Sequence, residues 1–194
     1  MPQPTPAAFN ARVRPGDPAW PDAARWQQLS DAVGGSLVRV RSPLAACVGV
    51  PASQGCNELF TALKNPYFIG DDMALTQTLG WVDAWTSMPS VYAVVARHAA
   101  DVAAAVDFAR RNRLRLVVRG GAHSYQGTSN AADSLMVWTR RMNDVQLHDA
   151  FVADGCEGKA EATRAATMAP APSGRRPTTR SPPAAAATCR AAAA

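Results

Sequence analysis

Residues 91–127 read VYAVVARHAADVAAAVDFARRNRLRLVVRGGAHSYQG, and this stretch decides the fold class. Residues 91–96 and 114–118 are short apolar runs of the kind found in buried strands, and residues 99–111 have the apolar spacing of a helix. The apolar face of that helix carries Val102, Val106 and Ala109. The stretch therefore predicts a strand, a helix and a second strand that ends in a glycine-bearing loop.

The flanking sequence adds further helices and strands, so the predicted fold class is α+β. Before the central stretch we expect a helix at 22–33, a strand at 37–40, a helix at 56–64 and a break at 65–70. After it we expect a strand at 134–139, a turn at 142–145 and an extended segment at 146–152.

The loop at 119–127 reads RGGAHSYQG and is the candidate site. Adjacent glycines after a buried strand let backbone amides approach an anion closely, and a dinucleotide pyrophosphate is the natural ligand. The spacing matches neither GxGxxG nor GxxxxGK[ST], and no GxSxG is present. From the pattern alone, an ordinary tight turn remains the alternative.

The residues around the glycine pair resemble a known family. The segments RGGAHSYQGTSNAADSLMVWTRRMNDVQLHDAF and NPYFIGDDMALTQTLGWVDAWTSMPSVYAVVARHAADVAAAVDFARRNRLRLVV are similar to berberine bridge enzyme-like proteins, a branch of the vanillyl alcohol oxidase flavoprotein superfamily. The resemblance covers roughly residues 36–156. It implies the first part of a p-cresol methylhydroxylase-type FAD-binding domain.

The resemblance also assigns roles to loop residues. In the family, the histidine of this loop is bonded to the 8α-methyl carbon of the flavin, and His123 takes that position; its alternative is a histidine bonded to backbone. Arg119 is either a phosphate partner or a solvated residue at a strand end, and Tyr125 either lines the cofactor site or packs under the loop. The implied cofactor-binding set is Arg119, Gly120, Gly121, Ala122, His123, Ser124, Tyr125 and Gly127.

Ala122 departs from the family pattern, which has glycine directly before the histidine. If this position needs a positive φ, alanine costs about 1 kcal/mol, and its methyl group could crowd the phosphates. Covalent attachment of FAD is the step that this substitution puts in question.

Other chemistry-bearing side chains are expected to be structural. His98 and His148 lie on no recognised motif, and Trp81, Trp85 and Trp138 are expected in the core. No metal site is predicted, because none of the four cysteines has zinc-like spacing. Cys47 and Cys56 are close enough to pair, although two free thiols are the preferred interpretation.

The sequence after residue 156 changes in composition. Residues 157–194 contain no Val, Ile, Leu, Phe, Trp or Tyr, and they supply +4 of the net charge of +5. Such a segment cannot bury enough apolar surface to offset the entropy of ordering it. We therefore divide the chain into an N-terminal segment (1–35), a partial FAD-binding domain (36–156) and a disordered tail (157–194).

A change of reading frame is one explanation of this tail. Back-translation of residues 177–194 with GC-rich codons can spell YDAVTTGGGGYVQGGGG in another frame, and this string is what the family would have there. The sequence thus predicts a frame change near residues 158–163, and the alternative is a natural basic tail.

These observations predict an FAD-dependent oxidoreductase that transfers a hydride from a small organic substrate to covalently bound flavin and then to an acceptor, commonly oxygen. This chain alone is expected to be inactive, because no catalytic base can be named in it. The alternative is a small binding module whose basic tail contacts nucleic acid or an acidic partner. In the preferred interpretation no nucleic acid and no membrane is a partner, and the absence of an apolar leader leaves the cytoplasm as the default location.

Overall fold

The computed structural model describes residues 12–78 and 80–169. The chain divides into two units, residues 1–141 and 142–194. This division falls before the boundary at residue 156 that composition suggested. None of the helices in the described ranges is both long enough and apolar enough to cross a membrane.

The N-terminal part of the first unit is mostly helical. Side chains of Asp22, Ser53 and Asn65 cap three helices by accepting bonds from backbone amides of the first turn. The elements are α1 (Ala23–Ala32), β1 (Leu37–Arg39), a 3₁₀ helix (Pro43–Cys47), α2 (Gln54–Ala62), α3 (Pro66–Asp71), β2 (Gly80–Trp81) and β3 (Trp85–Thr86). The expected break after the second helix is present, since α2 ends at Ala62, but Asn65 then caps a further short helix in which Pro66 takes the first position, where its missing N–H is harmless.

The central stretch folds as predicted, with β4 (Tyr92–Val95), α4 (Ala99–Arg111) and β5 (Arg115–Arg119). The next strand, β6 (Ser134–Trp138), lies between β4 and β5 and runs parallel to both. With β1 antiparallel to β4, the sheet order is β1-β4-β6-β5. The two strands that flank α4 are therefore not neighbours in the sheet.

The core of the first unit is centred on β6, whose five residues are all buried. Leu135, Met136 and Val137 have no exposed surface, and full burial of such a side chain stabilises the fold by about 1.5–3 kcal/mol. Helix α4 presents Ala105 and Ala109 to this core. The expected apolar face is thus wrong at Val106, which is 42% exposed because the small alanines allow the closer approach.

Tryptophans occupy three different environments. Trp138 is buried as expected, whereas Trp81 is 62% exposed and so lies outside the core among the described residues. Trp81 belongs to the two-residue strand β2, which pairs only with β3 in the described part of the chain and has no layer above it. Trp85 is half-buried and contacts the candidate loop.

The second unit contains an antiparallel pair of strands, β7 (Val145–Phe151) and β8 (Thr163–Met168). Strand β8 lies within the segment that composition assigned to a disordered tail, so that assignment is wrong for residues 163–168. The ladder of backbone hydrogen bonds to β7 orders a segment that lacks large aliphatic side chains. Residues 170–194, which carry the rest of the predicted tail, lie outside the described residues.

Cys47 and Cys56 form a disulfide with their Cα atoms 5.2 Å apart. The preference for two free thiols is therefore wrong. The 3₁₀ helix delivers Cys47 and the capped start of α2 delivers Cys56, and this places the two Cα atoms within the range a disulfide spans.

Candidate functional site

The candidate loop begins where β5 ends. Residues 120–133 leave Arg119 and return to the start of the parallel strand β6. Thr139, directly after β6, donates a hydrogen bond from Oγ1 to the carbonyl oxygen of Arg119 at 3.3 Å. The loop thus lies at the carboxyl end of a parallel sheet, which is where open α/β sheets bind ligands.

Gly121 has no room for a side chain. A Cβ built there would lie 2.8 Å from Cδ2 and 2.9 Å from Nε2 of His123, whereas at Gly120 the nearest atom would be Thr139 Oγ1 at 3.7 Å. Neither glycine has a positive φ. A side chain at this position would therefore displace the exposed imidazole of His123 from the place it occupies here.

Ala122 has a positive φ, +59°, and is the non-glycine residue of this segment that does. The condition set by the sequence interpretation is met, and alanine pays the strain of the left-handed region, about 1–2 kcal/mol. Ala122 is only 5% exposed, so its methyl group is covered by the protein and does not line the open face of the loop. The expected crowding of a phosphate by this methyl is therefore not supported by its position.

His123 and Tyr125 are held by a residue from another part of the chain. His123 Nδ1 lies 3.2 Å from Gln77 Oε1, and Gln77 Nε2 lies 3.2 Å from the Tyr125 hydroxyl oxygen. The alternative of a His123 bonded to backbone is wrong, because its imidazole contacts the side chain of Gln77. The alternative of a Tyr125 packed under the loop is wrong as well, because Tyr125 is 63% exposed. Sequence reasoning missed Gln77, because nothing local links it to a residue 46 positions away.

Ser124 shapes the turn that follows His123. Its Oγ accepts bonds from the backbone amides of Gln126 and Thr128, and it lies 2.7 Å from Thr128 Oγ1. A serine hydroxyl that takes two amides of its own loop fixes the local backbone. In this structure Ser124 therefore has a conformational role.

Gly127 lets the loop pack closely on Trp85. Its φ is +68°, and a Cβ at this position would lie 2.8 Å from Cη2 of the Trp85 ring. Both the conformation and the contact favour glycine. Residues 85–86 of β3 thus form one wall beside the loop.

Arg119 is a buried anchor. It is 1% exposed, and its guanidinium donates to the carbonyl oxygens of Asp72 at 2.7 Å and Met73 at 2.8 Å. It also donates to Asn130 Oδ1 at 3.3 Å. The alternative of a solvated arginine is wrong, and the phosphate role remains a prediction that these intramolecular bonds do not favour.

Burial also affects the charge of Arg119. Burial lowers its pKa to about 10, although the nearby Asp72 carboxylate raises it, and Arg140 adds a smaller lowering effect. The side chain is charged at neutral pH. The folded state therefore binds the guanidinium proton more weakly than the unfolded chain does, so the charge of Arg119 opposes folding at every pH below about 10. The hydrogen bonds to the carbonyl oxygens of Asp72 and Met73 offset this cost.

Asn130 completes the link between the two loops. Its Nδ2 donates to the carbonyl oxygen of Ala74 at 2.9 Å and lies 3.3 Å from Ser87 Oγ. Together with Arg119 it ties residues 72–74 to the glycine loop. This role could not be predicted from the sequence, in which Asn130 is only a polar residue ahead of an apolar strand.

The remaining histidines take structural positions. His98 caps α4, and its backbone amide donates to the Asp101 carboxylate at 3.1 Å. His148 lies on β7 with Nε2 2.9 Å from Thr167 Oγ1. Within the described ranges there is no group of three His, Cys, Asp or Glu residues that could hold a metal ion.

Comparison with known proteins identifies the domain. The sequence profile of the FAD binding domain family matches residues 90–168. Two VAO-type flavoproteins of Myceliophthora thermophila share the fold, with TM-scores of 0.66 and 0.67 at 23% and 19% identity, over 80% of this chain and 30% of theirs. Residues 90–168 therefore match an FAD binding domain, and the chain shares the fold of VAO-type flavoproteins, as the resemblance implied.

Curated relatives are fungal FAD-linked oxidoreductases. The chain is 31% identical to the FAD-linked oxidoreductase ZEB1 of Gibberella zeae over 70% of its own length and 26% of the relative. It is 26% identical to the FAD-linked oxidoreductase easE of Trichophyton verrucosum over 75% of its own length and 28% of the relative. The chain thus spans less than a third of the length of these relatives.

The profile match also bears on the reading frame. It runs through residue 168, beyond the position near 158–163 where the sequence predicted a frame change. A frame change, if present, is then better placed after β8.

Proposed function

We propose that the complete protein is an FAD-linked oxidoreductase and that His123 forms a covalent bond to the flavin. The observation that supports it best is the loop at the carboxyl end of β5, where an exposed imidazole is packed against a glycine that has no space for a Cβ. The names of the similar proteins support the same class of activity.

The residues present fit the dinucleotide. Gly120 and Gly121 have no side chains of their own to keep an anion from their backbone amides, which is the property that a pyrophosphate-binding loop needs. Gln77 and Ser124 fix the imidazole and the backbone beside it. A preorganised nucleophile at the edge of such a loop can reach the ring system of a flavin whose phosphates the loop holds.

Bound FAD would accept a hydride from a small organic substrate and return the electrons to an acceptor, commonly oxygen. Formation of the bond between an imidazole nitrogen and the 8α carbon releases one proton from each partner and two electrons, which leave with the same acceptor. The protein supplies binding, orientation and the nucleophilic nitrogen.

The test is the retention of flavin after denaturation. The complete protein, expressed from the gene that carries this chain, should stay yellow in the acid-precipitated pellet, and His123→Ala should release the flavin while keeping the fold. His148→Ala is the matched control, because His148 belongs to the β7 and β8 pair, and this variant should retain the colour. A colourless complete protein would overturn the assignment.

The 194-residue chain should bind added FAD weakly, because it spans less than a third of its relatives. Fluorescence quenching of FAD titrated with the chain measures this affinity. Stoichiometric binding by the chain alone would show that the loop and its neighbours suffice.

A further inference from the structure

Six exposed arginines gather at the amino end of β5, away from the glycine loop. Four of them belong to residues 110–115, which read RRNRLR and join α4 to β5, and two come from residues 12–25. The basic cluster comprises Arg12, Arg25, Arg110, Arg111, Arg113 and Arg115.

Tertiary contacts hold the separate parts of the basic cluster side by side. Arg12 Nη1 donates to the carbonyl oxygen of Leu114 at 3.1 Å, and Val13 pairs with Leu114 in a parallel bridge. Arg25, from α1, donates from Nη1 to Asn112 Oδ1 at 3.4 Å. The cluster is therefore built by the fold and does not depend on the local sequence alone.

Acidic side chains neutralise only part of this positive charge. The Asp107 carboxylate lies 3.1 Å from Arg110 and 3.5 Å from Arg111, and all three side chains are at least half exposed. Asp133 also lies near this end of β5, but its ion pair is with Arg14, which is outside the cluster. The other four arginines of the basic cluster form no ion pair among the described residues.

The charge of the surrounding domain indicates what kind of anion this surface fits. Guanidinium groups bind carboxylates through two parallel hydrogen bonds. Binding of nucleic acid is typical of domains with an overall excess of positive charge. Residues 12–169 carry 16 basic and 15 acidic side chains, since four of the 20 basic residues lie beyond residue 169. A compact basic patch on a charge-balanced domain fits a short run of carboxylates better than a long run of phosphates.

We infer that the basic cluster is a docking surface for an acidic segment of a partner protein. Strand β5 separates this surface from the glycine loop, because the cluster lies at Arg115 and the loop follows Arg119. At a rise of about 3.3 Å per residue, the strand places the two roughly 13 Å apart. A bound partner therefore leaves the candidate flavin site open, and the inference goes beyond the proposed function.

Fluorescence anisotropy of a fluorescein-labelled peptide of about ten glutamates measures binding to the 194-residue chain. Arg111→Gln combined with Arg115→Gln removes two charges from the cluster. This variant should raise Kd by about 4- to 25-fold, because loss of an exposed ion pair weakens binding roughly 2- to 5-fold.

The matched control removes two exposed arginines that follow β4 and β6 at the opposite end of the sheet. Arg97→Gln combined with Arg141→Gln lowers the net charge by the same amount and should leave Kd within about 1.5-fold of the wild type. Both variants keep every basic residue beyond residue 156, so the C-terminal segment contributes equally to the two measurements.

Equal weakening by the two double variants would show that the peptide responds to net charge alone and would overturn the inference. Absence of binding to the wild type at about 50 mM salt would overturn it as well. A duplex DNA of about ten base pairs that binds more tightly than the peptide, and loses affinity in the Arg111 and Arg115 variant, would assign the surface to nucleic acid instead.

A second variant covers the case in which the first fails to fold, as judged by circular dichroism. Arg25→Gln combined with Arg113→Asn removes two other charges of the cluster, and asparagine tolerates the positive φ of Arg113. This variant should weaken peptide binding to a similar extent. None of these substitutions should alter flavin retention by the complete protein, so this inference and the proposed function fail independently.

Discussion

The Nη2 atom of Arg119 lies 2.7 Å from the carbonyl oxygen of Asp72, and this bond fastens the last residue of β5 to the segment that carries Gln77. The same guanidinium reaches the carbonyl oxygen of Met73 through Nη1 at 2.8 Å. One buried side chain thus sets the distance between the two loops whose residues meet at His123.

Replacement of Arg119 by lysine should lower the free energy of unfolding by about 2–4 kcal/mol, because an ammonium group cannot reach both carbonyl oxygens and Asn130 at once and leaves buried acceptors unpaired. Urea denaturation followed by circular dichroism measures the change. Arg115→Lys, at the exposed start of the same strand, should change stability by less than about 0.5 kcal/mol. Equal effects at the two positions would contradict the anchoring role.

Two buried alanines allow the strain at Ala122 to be measured. Ala122→Gly and Ala131→Gly each remove a buried methyl group and raise the conformational entropy of the unfolded chain. Of the two alanines, only Ala122 has a positive φ. The Ala122 variant should therefore be more stable than the Ala131 variant by about 1–2 kcal/mol. The difference between their denaturation midpoints tests this, and a less stable Ala122 variant would show that the backbone there is relaxed.

The contact between Gly127 and Trp85 predicts a large penalty for one methyl group. Gly127→Ala adds a Cβ within the Trp85 ring contact and also requires a positive φ, so we expect a loss of about 2–4 kcal/mol. Gly34→Ala shares a positive φ but meets nothing within 4 Å, and should lose only about 1–2 kcal/mol. Near-ultraviolet circular dichroism should report displacement of the tryptophan in the first variant only.

The disulfide should contribute to stability in proportion to the loop that it closes. For cysteines separated by 9 residues, loss of the bond should cost about 2–3 kcal/mol. Dithiothreitol should destabilise the wild type by this amount and leave Cys47→Ala almost unaffected. If dithiothreitol leaves the stability of the wild type unchanged, the disulfide is not formed in solution. That result would favour a reducing compartment for the protein.

Trypsin distinguishes the paired strand β8 from the sequence that follows. Arg164 lies in β8 opposite β7, and the side chains of Arg164 and Asp149 are 3.2 Å apart. Cleavage after Arg164 should be at least about tenfold slower than after Arg175, because a strand must open before a protease can bind it. Mass spectrometry of timed digests gives both cleavage rates. Equal rates would contradict the pairing of β8 and would support the prediction of a disordered tail that begins at residue 157.

Local signals account for the parts of the fold that sequence predicted well. Helix α4 was predicted at its observed bounds from its apolar spacing. Asp101 in its first turn and Arg110 and Arg111 in its last turn complement the helix dipole. The glycine loop was recognised for the same reason, since its residues are contiguous.

The contacts that sequence could not predict join distant segments. Gln77 and His123 are 46 positions apart, and Arg119 and Asp72 are 47 apart, with no periodicity to connect them. Strand β8 was missed because backbone pairing, which depends little on side-chain identity, orders it. Arg119 was misjudged because a charged residue at a strand end is usually solvated, and only the surrounding carbonyl oxygens make its burial tolerable.

The position of β6 between β4 and β5 has a consequence during synthesis of the chain. A nascent chain that ends before Ser134 already contains β4, α4 and β5. It lacks β6, the strand to which β4 and β5 are both hydrogen-bonded. We expect such a chain to expose apolar strand edges until Trp138 has left the ribosome, so that folding of this unit follows translation of the site and cannot accompany it. Chaperone binding should therefore peak after the segment containing His123 has emerged from the ribosome and before Trp138 has emerged.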